Sequence, residues 1–153
     1  MIHRLVRLAE LDGWERHVLL QALVLLPVMA LRIRCFGMLR AFAPPRASLR
    51  HARPHRHGDD AERARRVAGL VHAAARHGPF RATCLPISLT LHRLLRERGI
   101  EAHLRLGVRK AGAGLEAHAW IERDGEPLME PARIGERYAV FAEPVVPRVG
   151  GSR

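Results

Sequence analysis

The chain has 153 residues and is poor in cysteine, aromatic residues and lysine, and each shortage excludes a class of protein. Two cysteines are too few for a disulfide-stapled secreted scaffold or a cysteine-rich zinc module. Aromatic residues make up 5% of the chain, which argues against a stacking platform for single-stranded nucleic acid. The sequence also has no zinc-finger, P-loop or RNA-recognition motif, so we expect no nucleic acid among its partners.

From the length of its apolar runs, we expect no membrane-spanning helix in the chain. The strongest candidate, VLLQALVLLPVMAL over 18–31, has 14 residues, whereas a spanning helix needs about 20. Residues of mixed charge precede it, unlike the short basic start of a secretory signal. We expect a buried or interfacial helix in a cytoplasmic protein. Weak peripheral attachment to a membrane stays open, because Arg16 and Arg32 flank the run.

Arginine is what the chain has in excess. Lysine and arginine total 26 against 15 acidic residues, a formal net charge of +11, and Lys110 is the only lysine. Apolar residues make up 48% and charged residues 27%, which is typical of a globular domain. The charge fits a solvated basic surface, and it also fits a non-catalytic module that binds a polyanion or a membrane surface.

The first half of the sequence predicts helices. Residues 1–43 have a helical pattern with an interruption at Asp12-Gly13. Residues 45–58 have almost no apolar content and predict a surface linker. The next helix is predicted over 61–76.

The second half predicts one more helix and then strands. Thr83 as the N-cap and Gly99 after the last turn bound a helix over 84–98. After Gly99 the apolar period changes to strict alternation, which predicts strands. The four strands are expected over 102–109, 115–122, 126–130 and 138–141. Helices first and an antiparallel β-meander afterwards indicate an α+β fold.

We divide the chain into three regions. Residues 1–58 are a basic, leucine-rich helical region with its linker, residues 59–142 are the core domain, and residues 143–153 are a tail that we expect to be mobile. Histidines in the linker alternate with arginine, whose charge repels cations, so we predict no metal site there.

One cysteine is placed for nucleophilic chemistry. Cys84 is the first residue of the 84–98 helix, where free backbone N–H groups and the positive end of the helix dipole favour a thiolate over a thiol. The same N–H groups can stabilise an oxyanion formed beside the sulfur. A thiolate catalyst also needs a base, and His118 on the second strand is the best candidate. Cys35 lies within an apolar helix and is expected in the core.

The base needs an orienting carboxylate, and two residues are candidates. If the hairpin loop has three residues, 123–125, His118 lies directly opposite Glu130 on one face of the sheet. If the loop has two residues, the register shifts by one and Glu130 moves to the other face. Asp124 is the alternative, although an Asp-Gly pair at a hairpin tip already has a structural explanation.

These residues lie within a longer pattern. Cys84-Leu85-Pro86 is followed by Ser88 and Leu89, a Leu-Leu-Arg helix end, a strand that ends in Leu106-Gly107-Val108, and then Ala117-His118-Ala119-Trp120 with Glu122. In this order the pattern resembles the transglutaminase-like cysteine proteases of lasso-peptide biosynthesis, the B2 leader peptidases. The resemblance is strong from 83 to 130, and the basic N-terminal half is similar to that of the family's short stand-alone members.

The resemblance implies a papain-like fold with a Cys-His-Asp triad, in which Cys84 is the nucleophile and His118 is the base. The third member falls near Glu130, where the family more often has aspartate, and Asp124 stays open. The implied reaction is removal of the leader from a ribosomally made precursor peptide, with no metal and no bound organic cofactor.

The resemblance also implies partners. Residues 1–75 predict helices rather than the strands of a winged-helix leader-recognition domain, so we expect a separate leader-binding protein to deliver the precursor. A separate ATP-dependent lasso cyclase would close the ring. The alternatives are another acyl-transfer enzyme of the same fold (an amidase or a transglutaminase), a non-catalytic basic binding module, and a catalytically inactive scaffold.

Overall fold

The structure, a computed structural model, describes residues 11–41 and 57–141. The elements in chain order are α1 (Gly13–Ala41), α2 (His57–His77), α3 (Cys84–Glu97), β1 (His103–Ala111), β2 (Gly114–Arg123), β3 (Glu126–Pro127), α4 (Ile134–Arg137) and β4 (Ala139–Val140). The predictions for residues 1–10, for most of the linker over 45–58 and for the tail over 143–153 lie outside the described residues.

Helix α1 begins with a reciprocal capping arrangement. The backbone N–H of Glu15 donates to Asp12 Oδ1 at 2.7 Å, and the N–H of Asp12 donates to Glu15 Oε2 at 3.0 Å. These bonds satisfy N–H groups that a helix start leaves without partners. The interruption predicted at Asp12-Gly13 is therefore the start of α1. The helix continues through Pro27, and its backbone leaves the helical region at Gly37, where φ is +73°.

The ends of α2 and α3 lie close to their predicted positions. α2 covers His57–His77 and so begins four residues before the predicted 61. α3 begins at Cys84 with Thr83 in the N-cap position, although no capping bond from the Thr83 side chain occurs within the described residues. After the other end of α3, Gly99 has φ +72°, the left-handed conformation that commonly ends a helix.

Within the described residues, the strands form one antiparallel sheet in the order β3–β2–β1–β4. β1 pairs with β2 along the whole of its length. β3 has only the residues Glu126 and Pro127, and β4 returns to pair with the other side of β1 at Gly107 and Val108. The first three strands are the predicted meander, and the fourth extends the sheet at its opposite edge.

β2 and β3 are joined by a two-residue turn. Asp124 and Gly125 both have a positive φ, +51° and +81°, and Arg123 pairs with Glu126 across the turn. The alternative of a three-residue loop is therefore wrong. The strand predicted over 126–130 is also too long, because regular pairing ends at Pro127.

The main core lies between the helices and one face of the sheet. α1, α2 and α3 pack against one another, and α3 packs against β1 and β2. Side chains of this core include Val18, Ala22, Leu26, Met29, Val67, Val71, Leu91, Leu94, Leu95, Leu104, Ala119 and Ile121. A smaller cluster of Trp120, Ile134 and Tyr138 lies on the other face, because Trp120 alternates with its neighbours in β2. The division of the chain at residue 58 stays a prediction.

Candidate active site

Cys84 is the first residue of α3 and is partly buried. Pro86 has no N–H group. The N–H of Ile87 donates to the Thr83 carbonyl at 3.3 Å. The amides of Cys84 and Leu85 are therefore the donors that the start of the helix leaves for a ligand. These amides belong to the residue that carries the sulfur and to its neighbour, so they can stabilise an oxyanion formed beside the sulfur.

The start of α3 is tied to β2 by a buried hydrogen bond. Ser88 lies one helical turn after Cys84, and its hydroxyl donates to the Ala119 carbonyl at 2.9 Å. Ala119 is the neighbour of His118, so the bond links the turn after the cysteine to the strand position beside the histidine. Cys84 and His118 both line one cavity of about 190 Å³. The structure thus brings together the two residues that the sequence analysis named as nucleophile and base.

The Ser88 hydroxyl donates a hydrogen bond that a neighbouring strand would otherwise donate. Carbonyl groups two residues apart in a strand point to the same side. The Ile121 carbonyl accepts a backbone bond from the chain just after β3 at 2.8 Å, so the Ala119 carbonyl also points to the β3 side. Because β3 has ended there, the edge of β2 is open beside His118, and the first turns of α3 lie against it.

Glu130 lies beside His118, with its Oε1 atom 3.1 Å from His118 Nε2. The two side chains are 23% and 22% exposed. This contact does not come from strand register, because a two-residue turn sends position 130 to the other face. Met129 has φ +63°, a left-handed conformation that turns the chain out of the extended path before Glu130. Since Glu130 lies next to Nε2, Nδ1 is the ring nitrogen left to receive a thiol proton.

The remaining candidate carboxylate and the second cysteine lie elsewhere. Asp124 is in the β2–β3 turn, where its side chain is 81% exposed and 3.5 Å from Arg123. Six residues of extended strand, about 20 Å, separate it from His118. Cys35 is exposed, which corrects the expectation that it lies in the core. Position 35 falls out of phase with the buried positions of α1, which are 18, 22, 26 and 29.

Two aromatic rings hold the imidazole of His118. The ring centroids of Tyr138 and Trp120 are 5.4 Å and 6.0 Å from it, and both rings stack on it. Gly107 lies opposite His118 in β1. A Cβ atom at position 107 would lie 2.7 Å from Tyr138 Cβ and 3.1 Å from the Trp120 ring. Glycine at this position therefore makes room for the aromatic pair.

Each aromatic ring is fixed in turn by a carboxylate. Trp120 Nε1 donates to Glu122 Oε1 at 2.9 Å, and the Tyr138 hydroxyl donates to Glu116 Oε1 at 2.6 Å. Each carboxylate also lies 2.7 Å from a different arginine of β1. The bond from Tyr138, with help from the arginine, lowers the pKa of Glu116, and the same bond raises the pKa of Tyr138. The rings that flank His118 are thus anchored by charge-assisted bonds.

A second histidine lines the cavity. His72 belongs to α2 and lies on the cavity wall together with Cys84 and Glu130. Burial lowers the pKa of His72 from 6.5, the charge of Glu130 partly offsets this effect, and Arg76 adds to it. The imidazole is therefore neutral at pH 7 and can exchange hydrogen bonds with a bound peptide.

Sequence reasoning named the three residues at the centre of the site but missed roles for those around them. Ser88 and Gly107 belong to the motif that carried the resemblance, and each has a local signal. Ser88 is a polar residue on the apolar face of α3, and Gly107 interrupts an alternating strand. His72 and Tyr138 have no such signal, because only the folded chain brings α2 and the residue before β4 near His118.

The arrangement is suited to acyl transfer. It combines a sulfur at a helix start, an imidazole next to a carboxylate, and backbone donors for a developing oxyanion. Among the residues that the structure describes, no group of three or more histidine, cysteine or acidic side chains is placed to hold a metal ion.

Comparison with known proteins gives two matches. Residues 22–143, well over half of the chain, match the Transglutaminase-like superfamily. Over 64 residues the chain is 34% identical to the Microcin J25-processing protein McjB of Escherichia coli. That alignment covers 42% of this chain and only 30% of McjB. No solved structure matches the chain significantly. The α+β fold and the resemblance seen in the motifs are confirmed by these matches.

Proposed function

Because the chain belongs to the transglutaminase-like superfamily, we propose that it is a cysteine peptidase that removes the leader from a ribosomally synthesised lasso-peptide precursor. The observation that carries this proposal is that Cys84, His118 and Glu130 line the same cavity. The assignment to lasso peptides is supported by the motif resemblance and by the similarity to McjB, whose name records the processing of microcin J25.

In the first half of the reaction, the Cys84 thiol passes its proton to His118 Nδ1 and the sulfur attacks the scissile carbonyl carbon. The oxyanion that forms is stabilised by the backbone N–H groups at the start of α3. His118 then protonates the leaving amine, and the peptide C–N bond breaks. The core peptide leaves with a new amino terminus, and the leader remains attached to Cys84 as a thioester.

In the second half, water attacks the thioester while His118 accepts a proton from it. The C–S bond breaks, the thiolate recovers its proton, and the leader leaves with a new carboxylate. Glu130 keeps the proton-bearing Nε2 of His118 turned away from the sulfur and stabilises the imidazolium. Tyr138 and Trp120 restrict the rotation of the ring in both halves.

We further propose that the chain works in the cytoplasm with two other proteins, a leader-binding protein that delivers the precursor and an ATP-dependent cyclase that closes the ring. The basic surface favours an acidic leader or an acidic face on such a partner. Co-purification of the chain with each candidate partner tests this part, and no detectable binding to either protein would contradict it.

The experiment that tests the activity is incubation of the full chain with a lasso precursor and a leader-binding protein, followed by mass spectrometry. We expect two products whose masses add up to the precursor plus one water. Cys84→Ala should form neither product. Cys35→Ala is the matched control, because Cys35 is exposed on α1, and it should cleave as wild type does.

Another acyl-transfer activity would be recognised in the same experiment. If an amine rather than water accepts the acyl group, the precursor becomes cross-linked, and its mass changes by loss of ammonia instead of by cleavage. An unchanged precursor with wild-type protein that still binds the leader-binding protein would indicate an inactive scaffold. Either result would contradict the peptidase.

A further inference from the structure

Helix α1 has two apolar faces. The first is buried against α2 and α3 and includes Val18, Ala22, Leu26 and Met29. A surface helix usually carries polar residues on the side away from the core. On that side α1 instead carries an apolar stripe of four exposed residues. They are Leu20, Val24, Val28 and Leu31, and their exposed fractions are 62%, 63%, 41% and 61% in that order.

The apolar stripe is continuous along the helix. Its residues are spaced by four, four and three positions, so they lie on one side of α1 over about 16 Å. Arg16 and Arg34 are exposed and continue the same spacing, four positions before Leu20 and three positions after Leu31. The surface is therefore apolar in its middle and cationic at both ends.

The sequence around the apolar stripe has charge of one sign. Between Glu15 and Asp59 there are eight arginines and no acidic residue. Glu15 itself lies 3.4 Å from Arg66. A second copy of this chain, also with a net charge of +11, would bring like charges together across the stripe. The occupant that fits is an apolar surface surrounded by negative charge.

A bilayer with anionic phospholipids has this chemistry, because phosphate groups lie immediately above hydrocarbon. Among the described residues, Gly13–Gly37 is a helix long and apolar enough to cross a membrane by length and composition, which corrects the expectation drawn from the 14-residue run alone. Crossing would withdraw the buried face of α1 from the core, so a position in the membrane plane is favoured. We propose that the apolar stripe binds the surface of an anionic phospholipid bilayer with α1 parallel to it. This proposal does not depend on the peptidase activity.

Flotation of the full chain with lipid vesicles tests the proposal. We expect binding to vesicles of phosphatidylglycerol and phosphatidylcholine, weaker binding at high salt, and little binding to phosphatidylcholine alone. The triple variant Leu20→Gln, Val24→Gln, Leu31→Gln should bind at least about tenfold more weakly, because three apolar side chains no longer enter the bilayer. Leu115→Gln is the matched control, since Leu115 is 79% exposed on β2, and it should bind as wild type does.

A dye at Cys35 gives a second, local measurement, because Cys35 is exposed just beyond the end of the apolar stripe. In a Cys84→Ala background, an environment-sensitive dye at position 35 should shift to shorter wavelength when anionic vesicles are added. The same dye at position 115, in a Leu115→Cys variant without the native cysteines, should not shift. Thermal unfolding followed by circular dichroism checks that each variant is folded.

Several results would overturn the proposal. Unchanged binding of the triple variant would show that net charge alone attracts the chain to vesicles. Wild-type protein that binds neither kind of vesicle would remove the bilayer as the occupant. A wild-type dimer that the triple variant converts to a monomer would show that a second copy covers the stripe instead.

Discussion

The two edges of β2 differ, and the difference shows where this fold makes room for a site. On one edge β2 pairs with the whole of β1. On the other edge it pairs with β3 at only two positions. Beyond them, the Ala119 carbonyl is satisfied by the Ser88 hydroxyl instead of by a strand. The paired edge is a scaffold, and the interrupted edge is where α3, the chain after β3 and the cavity meet.

If the interrupted edge holds the site, changes there should lower catalysis more than changes at the paired edge do. The largest difference is expected between two histidines, one at each edge. His118→Ala should lower kcat/KM for precursor cleavage by about 10⁴-fold or more, because the thiol then has no base. His103→Ala, at the exposed start of β1, should change it little. Similar losses in both variants would remove the distinction between the two edges.

The next largest effect is expected at the carboxylate next to His118. Glu130→Gln keeps the shape of the side chain but stabilises the wrong imidazole tautomer, so kcat should fall by about 10²-fold to 10⁴-fold. Asp124→Asn, in the exposed turn, is the matched control and should cleave normally. A larger loss for Asp124→Asn than for Glu130→Gln would transfer the orienting role to Asp124.

Removing each of two buried hydroxyl groups on α3 should have different effects on the free energy of unfolding. Ser88→Ala leaves the buried Ala119 carbonyl without its donor, so the free energy of unfolding should fall by about 1–3 kcal/mol. Thr90 Oγ1 is buried and has no hydrogen-bond partner within the described residues, so Thr90→Val should be neutral or stabilising. Chemical denaturation measures both changes.

Ser88 should also affect catalysis, because it holds the start of α3 against β2. In Ser88→Ala, kcat should fall by about tenfold to a hundredfold, with a smaller change in KM, as expected for a displaced nucleophile. Thr90→Val should leave both constants unchanged. A kcat for Ser88→Ala that equals the wild-type value would show that the bond serves stability alone.

Substitutions at two glycines test how the paired edge contributes to stability. Gly107→Ala forces a Cβ atom against Tyr138 and Trp120, and such overpacking should lower the free energy of unfolding by about 1–3 kcal/mol. Gly114→Ala is the matched control, because the nearest atom to a Cβ there is 3.9 Å away. Thermal unfolding compares the two variants, and equal melting temperatures would mean that the aromatic pair can move aside without loss.

The smallest effect depends on pH. Burial lowers the pKa of both His72 and His92 below 6.5 in the folded chain. Below pH 6.5 the unfolded chain therefore binds more protons, so the free energy of unfolding falls as the pH drops from 6.5 toward the folded-state pKa values. His72→Gln should flatten this decline, and added His92→Gln should flatten it further. A decline that both changes leave intact would show that other groups cause it.

The helices and the paired edge could be predicted because their signals are local. Thr83, Cys84 and Gly99 mark the ends of α3, and strict alternation marks β1 and β2. The Asp124-Gly125 pair is the typical sequence of a two-residue turn, so the two-residue loop between β2 and β3 could also be predicted from the sequence. These elements need no knowledge of distant parts of the chain.

The interrupted edge could not be predicted in the same way. The proximity of Glu130 to His118 was expected from a register that the structure does not have. It depends instead on Met129, a residue other than glycine with positive φ, which no local pattern predicts. The contributions of Ser88 and His72 depend on how the helices pack against the sheet. The catalytic roles of Cys84, His118 and Glu130 stay predictions.

The partnership of Cys84 and His118 can be tested most directly without a substrate. Iodoacetamide reacts with thiolates, and peptide mass spectrometry gives its rates at Cys84 and Cys35 in one sample near neutral pH. We predict that the partly buried Cys84 reacts faster than the exposed Cys35, and that His118→Ala removes this advantage without changing Cys35. Equal rates at the two cysteines in wild type, or a Cys84 rate that His118→Ala leaves unchanged, would contradict the account.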